Sequence, residues 1–167
     1  MPITLNGDGS IAGGTFNRPA FRAELVTTDQ IIADNVNTII QFNNNSTGEN
    51  FDTNNCYSTS TFKFIPDVAG YYLINAHATF STTSTPNLED GELRIRKNDT
   101  STLAKAEIDP SNSQEMDAVT CNATAIIQMN GTSDFIQVLA TIKIQSSNAN
   151  IKADNHQTYF QAFKLAI

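Results

Sequence analysis

The chain has 167 residues, a net charge of −7 at neutral pH, two cysteines and no tryptophan. This length fits one domain with a sizeable core, and the acidic balance argues against a nucleic-acid partner, because phosphates are bound by basic faces. No apolar run is long enough to span a bilayer, and the opening MPITLNGDGS lacks a secretory signal pattern. We therefore expect a soluble protein with no membrane partner.

The first segment of the chain is predicted to form a short β-hairpin arm. Residues 3–14 have the sequence ITLNGDGSIAGG, in which two short strand-forming stretches flank an Asn-Gly-Asp-Gly turn. Pro19 follows, and the body of the domain begins there. We therefore divide the chain into an arm at residues 1–17 and a head at residues 18–167, with the boundary near Asn17 and Arg18.

The head is predicted to consist of β-strands at short spacing, separated by polar turns. The strands are expected at residues 21–26, 38–42, 61–65, 71–80, 92–97, 102–108, 119–129, 135–144 and 159–165. Apolar side chains alternate along most of them, and Phe62 and Phe64 are expected to share one face. Because no segment has a helical period, the pattern indicates an all-β sandwich, barrel or jelly roll.

Several of these strands are apolar on both faces. The adjacent pairs are Tyr71 and Tyr72, Leu73 and Ile74, Ile126 and Ile127, and Tyr159 and Phe160. A sheet with one solvated face should alternate more cleanly. One explanation is that the second face packs against another subunit. The other is that loops of the same chain cover it.

Side chains that could support catalysis or hold a cofactor are sparse. The only histidines, His77 and His156, are far apart in sequence, and no nucleophile motif accompanies them. The chain has neither a Gly-rich phosphate loop nor a metal-ligand spacing. Cys121 lies at an apolar-alternating position and is expected to be a buried thiol, while its pairing with Cys56 stays open. We expect a non-enzymatic protein without a cofactor or a metal.

The order of the segments resembles the C1q-like jelly-roll family, which includes the complement and tumour-necrosis-factor domains. The segments that carry the resemblance are PAFRAEL, TIIQF, FDTNNCYSTSTFKFIPDVAGYYLINAHATF, ELRIRKND, ATAIIQMNGTSDFIQV and TYFQAFKLAI. The most specific of them covers residues 51–80, where Phe-x-Phe-x-Pro is followed by a glycine, two tyrosines and an alternating strand. The resemblance as a whole extends over about nine-tenths of the chain, from Pro19 to Ile167.

The resemblance implies a ten-stranded, two-sheet jelly roll that forms a homotrimer through the sheet holding the terminal strands. The two-faced strands would lie in that sheet, and the interface candidates are therefore Tyr71, Leu73, Ile126 and Tyr159. Some family members hold calcium near the trimer apex. The nearest acidic pair here is Glu89 and Asp90, but a lone pair is usually a solvated turn, and we assign no metal site to it.

The arm departs from the animal members of the family, which carry a signal peptide and a collagen-like stalk. Its sequence, and the Asn- and Thr-rich style of the head, instead resemble structural proteins of bacteriophages, particularly cyanophages. The resemblance implies a capsid cement or decoration protein that lies on the outer capsid surface of the virion and binds the major capsid protein. The arm residues expected to make this attachment are Ile3, Leu5, Ile11 and Phe16.

The alternative is a tail-fibre tip that recognises a glycan or protein receptor on the host surface. An arm of this length reaches at most about 60 Å when fully extended, and a hairpin shortens it. A fibre subunit also needs an attachment region and a shaft, for which the arm leaves no room. The sequence therefore favours the cement protein over the fibre tip.

Overall fold

The computed structural model describes residues 4–5, 11–12, 18–82, 88–109, 116–145, 148–153 and 156–166. Regular structure within these ranges is entirely β-sheet, so the prediction of an all-β protein is confirmed. No helix long and apolar enough to cross a bilayer occurs in the described part of the chain. The strands are β1 (Thr4–Leu5), β2 (Ile11–Ala12), β3 (Ala20–Glu24), β4 (Gln30–Ile32), β5 (Thr38–Ile39), β6 (Phe51–Asp52), β7 (Tyr57–Ser58), β8 (Lys63–Phe64), β9 (Gly70–Thr82), β10 (Leu88–Lys97), β11 (Ser101–Ile108), β12 (Ala118–Met129), β13 (Ile136–Ile144), β14 (Ala149–Ile151) and β15 (Tyr159–Lys164).

The predicted N-terminal hairpin is present as a separate two-stranded sheet. β1 and β2 pair antiparallel, with Thr4 opposite Ala12 and Leu5 opposite Ile11. The residues between the two strands lie outside the described part of the chain.

The first large sheet has the strand order β4-β14-β9-β15-β3-β6, and β12 pairs with the other side of β9. β9 is the central strand, because it pairs with β14 and β15 on one side and with β12 on the other. Its pairing with β12 extends from Ser81 opposite Ala118 to Gly70 opposite Met129. The terminal strands β3 and β15 are neighbours in this sheet. All of its pairings are antiparallel.

The second large sheet has the order β11-β10-β13-β8-β7, with β5 also paired to β13. The two sheets stack, and their facing side chains form one core. The largest fully buried side chains are Tyr72, Phe21, Phe42, Phe64, Phe80, Phe160, Ile32, Ile40, Ile74, Leu88, Leu93 and Ile95. Burial of these groups is the main term that stabilises the fold.

The core is richest in aromatic rings near β3, where Phe21 is the central ring. Its ring centroid lies 4.9 Å from that of Tyr57, 4.7 Å from that of Phe64 and 4.8 Å from that of Phe160. The buried Tyr57 hydroxyl donates to the carbonyl of Phe42 at 3.0 Å. A buried tyrosine requires such a partner, because an unbonded hydroxyl loses its hydration without replacement.

The strand predicted at residues 61–65 is shorter in the structure, and the prediction that Phe62 and Phe64 share one face is wrong. Phe62 has a φ of 56° and lies in a turn, where its N–H donates to the carbonyl of Ser58 at 2.7 Å. The turn leaves only Lys63 and Phe64 in strand β8. Phe64 is buried, whereas Phe62 is only partly buried.

The expected buried thiol of Cys121 is confirmed, and Cys56 is buried as well. Neither cysteine takes part in a disulfide bond. The Cys121 thiol lies 3.4 Å from the carbonyl oxygen of Gly91 across the core. Burial raises the pKa of each thiol to about 11, so both are protonated and unreactive at neutral pH.

Gly131 allows the turn between β12 and β13 to pack closely on the segment before β9. It has a φ of 74°, and a Cβ atom built there would lie 2.3 Å from the backbone nitrogen of Ala69. We expect Gly131→Ala to lower the free energy of unfolding by about 2–4 kcal/mol, because it adds left-handed strain to a clash with backbone. Urea denaturation would measure the loss.

The matched control for this substitution is Gly48→Ala. Gly48 has a similar φ of 67°, but a Cβ atom there meets nothing within 4 Å. Gly48→Ala should therefore lower the free energy of unfolding only through left-handed backbone strain, by about 1–2 kcal/mol. Equal losses for the two variants would show that close packing at Gly131 is not the cause.

Candidate subunit interface

The first large sheet has one face on the core and one face pointing away from it. The side chains alternate, so residues 72, 74, 76, 78 and 80 of β9 are buried and the odd-numbered ones between them point outward. The same alternation places even-numbered residues of β12 and β3, and odd-numbered residues of β15, on that side. We call this surface of β3, β9, β12 and β15, together with the adjoining side chains of Phe51 and His156, the outer face.

All the predicted interface residues lie on the outer face. Tyr71 is 42% exposed and Ile126 is 63% exposed, whereas Leu73 and Tyr159 are partly buried. Their apolar sequence neighbours, Tyr72, Ile74, Ile127 and Phe160, face the core. The exposure of Tyr71 and Ile126 shows that the described loops of the chain do not cover this part of the face.

Strand register places apolar side chains of the outer face in one row. Phe163 of β15 is opposite Leu73 of β9, which is opposite Ile126 of β12. The ring of Phe163 also lies 6.3 Å from that of Phe51 on β6, and each of these two phenylalanines is 37% exposed. Tyr71 extends the row towards the start of β9. We call Phe51, Tyr71, Leu73, Ile126 and Phe163 the apolar row.

Phe51 and Phe163 lie on the outer face but are not among the predicted interface residues. The sequence does contain a signal for Phe163, because it follows Tyr159 by four residues in one strand and therefore points to the same side. No such signal exists for Phe51, since β6 contains only Phe51 and Asp52. Its position follows from the pairing of Phe51 with Arg22 of β3.

The other end of the outer face is polar and is organised around the buried carboxylate of Glu24. Arg22 donates to it at 2.7 Å and Asn50 donates at 3.1 Å, while the Nδ1 atom of His156 lies 2.6 Å away. Burial on its own would raise the pKa of Glu24, but the hydrogen bonds from His156, Arg22 and Asn50 outweigh it and hold that pKa below its usual range. Glu24 is therefore an anion across the neutral and mildly acidic range.

A stack of three side chains lies beside this carboxylate. The Arg22 guanidinium carbon is 4.1 Å from the ring centroid of Tyr159, a cation–π contact. The His77 ring is stacked on Tyr159 at 5.0 Å with an angle of 10° between the planes. Since Tyr159 lies on β15, between His77 on β9 and Arg22 on β3, its ring is held between the two.

Amide and hydroxyl groups connect the stack to the edge strand β12. Arg22 donates to Gln161 at 3.3 Å, Gln161 donates to Asn75 at 3.3 Å, and Asn75 donates to Thr124 at 2.8 Å. Asn122 completes the chain, with its amide 3.4 Å from the Nδ1 atom of His77. The polar end is thus an ordered network, which makes it suited to a partly desolvated position.

The two members of the acidic pair Glu89 and Asp90 have different surroundings. Glu89 forms an ion pair with Lys143 at 2.8 Å. Burial, followed by the nearby Glu107, Asp109 and Glu92, raises the pKa of Asp90. Among the described residues, no group of three or more His, Cys, Asp or Glu side chains is placed to hold a metal ion.

The arm residues predicted to bind a partner are only partly within the described structure. Leu5 and Ile11 are opposite each other in the backbone pairing of β1 and β2. Ile3 and Phe16 lie outside the described residues. Their role in attachment stays a prediction.

Two stacked antiparallel sheets, with the terminal strands adjacent in the sheet that carries the outer face, define a β jelly roll. No protein-family model and no curated protein matches the chain. Solved structures show that it has the fold of the C1q and tumour-necrosis-factor domains. The predicted fold class is therefore confirmed.

Three of the similar solved structures come from complement and tumour-necrosis-factor proteins. The globular domain of zebrafish complement 1qA has a TM-score of 0.60 at 16% identity, and the match covers 88% of this chain and 97% of that one. Eiger TNF from S. frugiperda has a TM-score of 0.62 at 10% identity, covering 89% and 93%. Murine APRIL at pH 5.0 has a TM-score of 0.60 at 12% identity, covering 89% and 100%.

Proposed function

We propose that this protein is a non-enzymatic structural protein whose head forms a homotrimer through the outer face. The observation that carries the proposal is the apolar row, in which Phe163, Leu73 and Ile126 adjoin across neighbouring strands. The row ends at a side chain that is 63% exposed. Contiguous exposed apolar patches on soluble proteins usually mark contacts with a partner.

A second copy of the same chain fits this surface better than a charged partner does. The four strands of the outer face place one cation, Arg22, and one anion, Glu24, on that side, and these two neutralise each other. An apolar centre beside a hydrogen-bonded polar region is the usual composition of a subunit interface. The resemblance to the C1q-like family supports three copies, arranged so that the outer face of one protomer packs on a different surface of the next.

The trimer is a capsid cement protein of a bacteriophage, located on the outer capsid surface. The arm at residues 1–17 binds the major capsid protein, and the head at residues 18–167 forms the trimer. Support comes from the resemblance of the arm to phage structural segments and from the hairpin formed by β1 and β2. A trimer that binds only the assembled shell stabilises it by mass action.

Deletion of residues 1–14 tests the attachment. We expect a head that is still folded and trimeric, because the deleted segment precedes β3 and contributes no residue to the apolar row. The truncated trimer should no longer bind purified capsids that lack the protein, with occupancy falling from full to background in a sedimentation assay.

The control is the full chain with Tyr71→Phe, which keeps the ring on the outer face and leaves the arm intact. Full decoration by the truncated head would contradict the role of the arm. Binding of the full trimer to host cells rather than to capsids would favour the tail-fibre alternative instead.

A further inference from the structure

Both histidines of the chain lie at the polar end of the outer face, on either side of the Arg22–Glu24 ion pair. His77 is stacked on the Tyr159 ring, whose ring also contacts Arg22. His156 lies 2.6 Å from Glu24, the carboxylate that binds Arg22. Histidine is the side chain whose charge ordinarily changes between about pH 5 and pH 8. The surface that we propose to be an interface therefore contains every histidine that the protein has.

The charge of the outer face depends on these two residues. β9 and β12 contain no Asp, Glu, Lys or Arg, and β3 contributes Arg22 and Glu24. Lys164 of β15 is at a core-facing register position opposite Tyr72, beside Gly70, and so does not add to this face. With its histidines neutral the face has no net charge, and a proton on His77 adds one positive charge per protomer, or three per trimer.

The surroundings of His77 favour its neutral form. Tyr159 covers one side of the imidazole, Asn122 approaches its Nδ1 atom at 3.4 Å, and Arg22 contacts the same tyrosine ring. Lys152 is bonded through its backbone N–H to the carbonyl of Thr79, and its side chain forms an ion pair with Asp29 at 2.7 Å. Burial, and after it the charge of Arg22, lowers the pKa of His77. Among these neighbours the only anion is Glu24, which already binds Arg22 and contacts His156.

We propose that the trimer is acid-labile, and that protonation of His77 on the outer face separates the protomers between about pH 7 and pH 5. This inference rests on the proposed trimer. Packing a second protomer over the outer face removes the remaining water from His77, which already lies on the Tyr159 ring that Arg22 contacts. A new cation at His77 finds no free carboxylate in its own protomer, because Glu24 already binds Arg22 and contacts His156, so desolvating that cation weakens the interface.

The direction of the pH dependence follows from linkage. A histidine whose pKa is lower in the trimer than in the monomer stabilises the trimer above the monomer pKa, and this stabilisation is lost as the pH falls. A difference of one pKa unit at each of the three copies would raise the trimer dissociation constant about 1000-fold at low pH. His156 differs in its surroundings, because its Nδ1 atom lies 2.6 Å from the Glu24 carboxylate.

The test is the oligomeric mass, measured by sedimentation equilibrium at about pH 8 and about pH 5. We expect a wild-type trimer at the higher pH and monomers at the lower pH. His77→Gln and His77→Phe, which cannot be protonated, should remain trimeric at both, and the second of them keeps an aromatic ring against Tyr159. His156→Gln is the matched control and should still dissociate in acid.

The possible failures are distinguishable. A monomer at about pH 8 would overturn the proposed trimer and this inference together. A wild-type trimer that persists at about pH 5 would overturn only the inference, as would acid dissociation of the His77 variants. NMR can also follow the titration of the His77 imidazole in the wild-type trimer, which needs no variant. A pKa of His77 at or above the ordinary value of about 6.5 would also overturn the inference.

Discussion

Replacing Ile126 with aspartate is expected to convert the trimer into folded monomers. Ile126 is the most exposed member of the apolar row and points away from the core, so its replacement leaves the packing between the sheets intact. In an interface the change removes about 1.5–3 kcal/mol of apolar burial per protomer. It also requires a carboxylate to be desolvated without a partner, which adds several kcal/mol.

Light scattering measures the mass, and circular dichroism measures whether the head is folded. Val36→Asp is the matched control, since Val36 is 49% exposed and lies next to β5 of the other sheet. The control should remain a trimer. An unchanged mass for Ile126→Asp, or monomers for both variants, would show that the apolar row is not the specific interface.

Replacing Phe21 with alanine is expected to cause the largest loss of stability, about 3–5 kcal/mol. Phe21 is completely buried, and its ring contacts those of Tyr57, Phe64 and Phe160, which come from both sheets. Removing it leaves a cavity that three large rings and their strands cannot close by small shifts. Since a marginal domain has only about 5–15 kcal/mol of stability, the variant should unfold at a much lower urea concentration.

Ile65→Ala provides the comparison for Phe21→Ala. Ile65 is 40% exposed, so losing its outer atoms should change the free energy of unfolding by less than about 1 kcal/mol. Measuring both in the Ile126→Asp background would separate folding from trimer formation. A loss for Phe21→Ala no larger than that for Ile65→Ala would contradict the central position of this ring in the core.

The alternation in the long strands was predictable from the sequence. Along β9 the residues Tyr72, Ile74 and Ala76 face the core as the two-residue period requires, and the same period applies along β12. The pattern also identified strands that are apolar on both faces. It could not decide which residue of each pair faces outward, because a shift of one residue exchanges the two faces.

Other features depended on pairing and turns that the local pattern does not contain. The residues of β13 from Ile136 to Ala140 are buried on both faces; in this part Gln137 donates to the carbonyl of Thr61 at 3.0 Å and Leu139 pairs with Ile39 of β5. The short strands β4 and β14 exist because they pair with each other and with the end of β9. Strands of so few residues have no periodicity from which they could be predicted.

The sequence by itself determined the all-β class, the hairpin, the buried thiol of Cys121 and the two-faced strands, because each follows from side chains close together along the chain. Only the tertiary structure brought Phe51, Phe163, Leu73 and Ile126 into one apolar row, and His77 and His156 to the same polar end. Phe51, Phe163, Leu73 and Ile126 lie on four different strands and become neighbours only through the register of antiparallel pairing, whereas His156 reaches Glu24 from the turn before β15. Register is set by the whole core and its turns, since the sheet must bury one face completely.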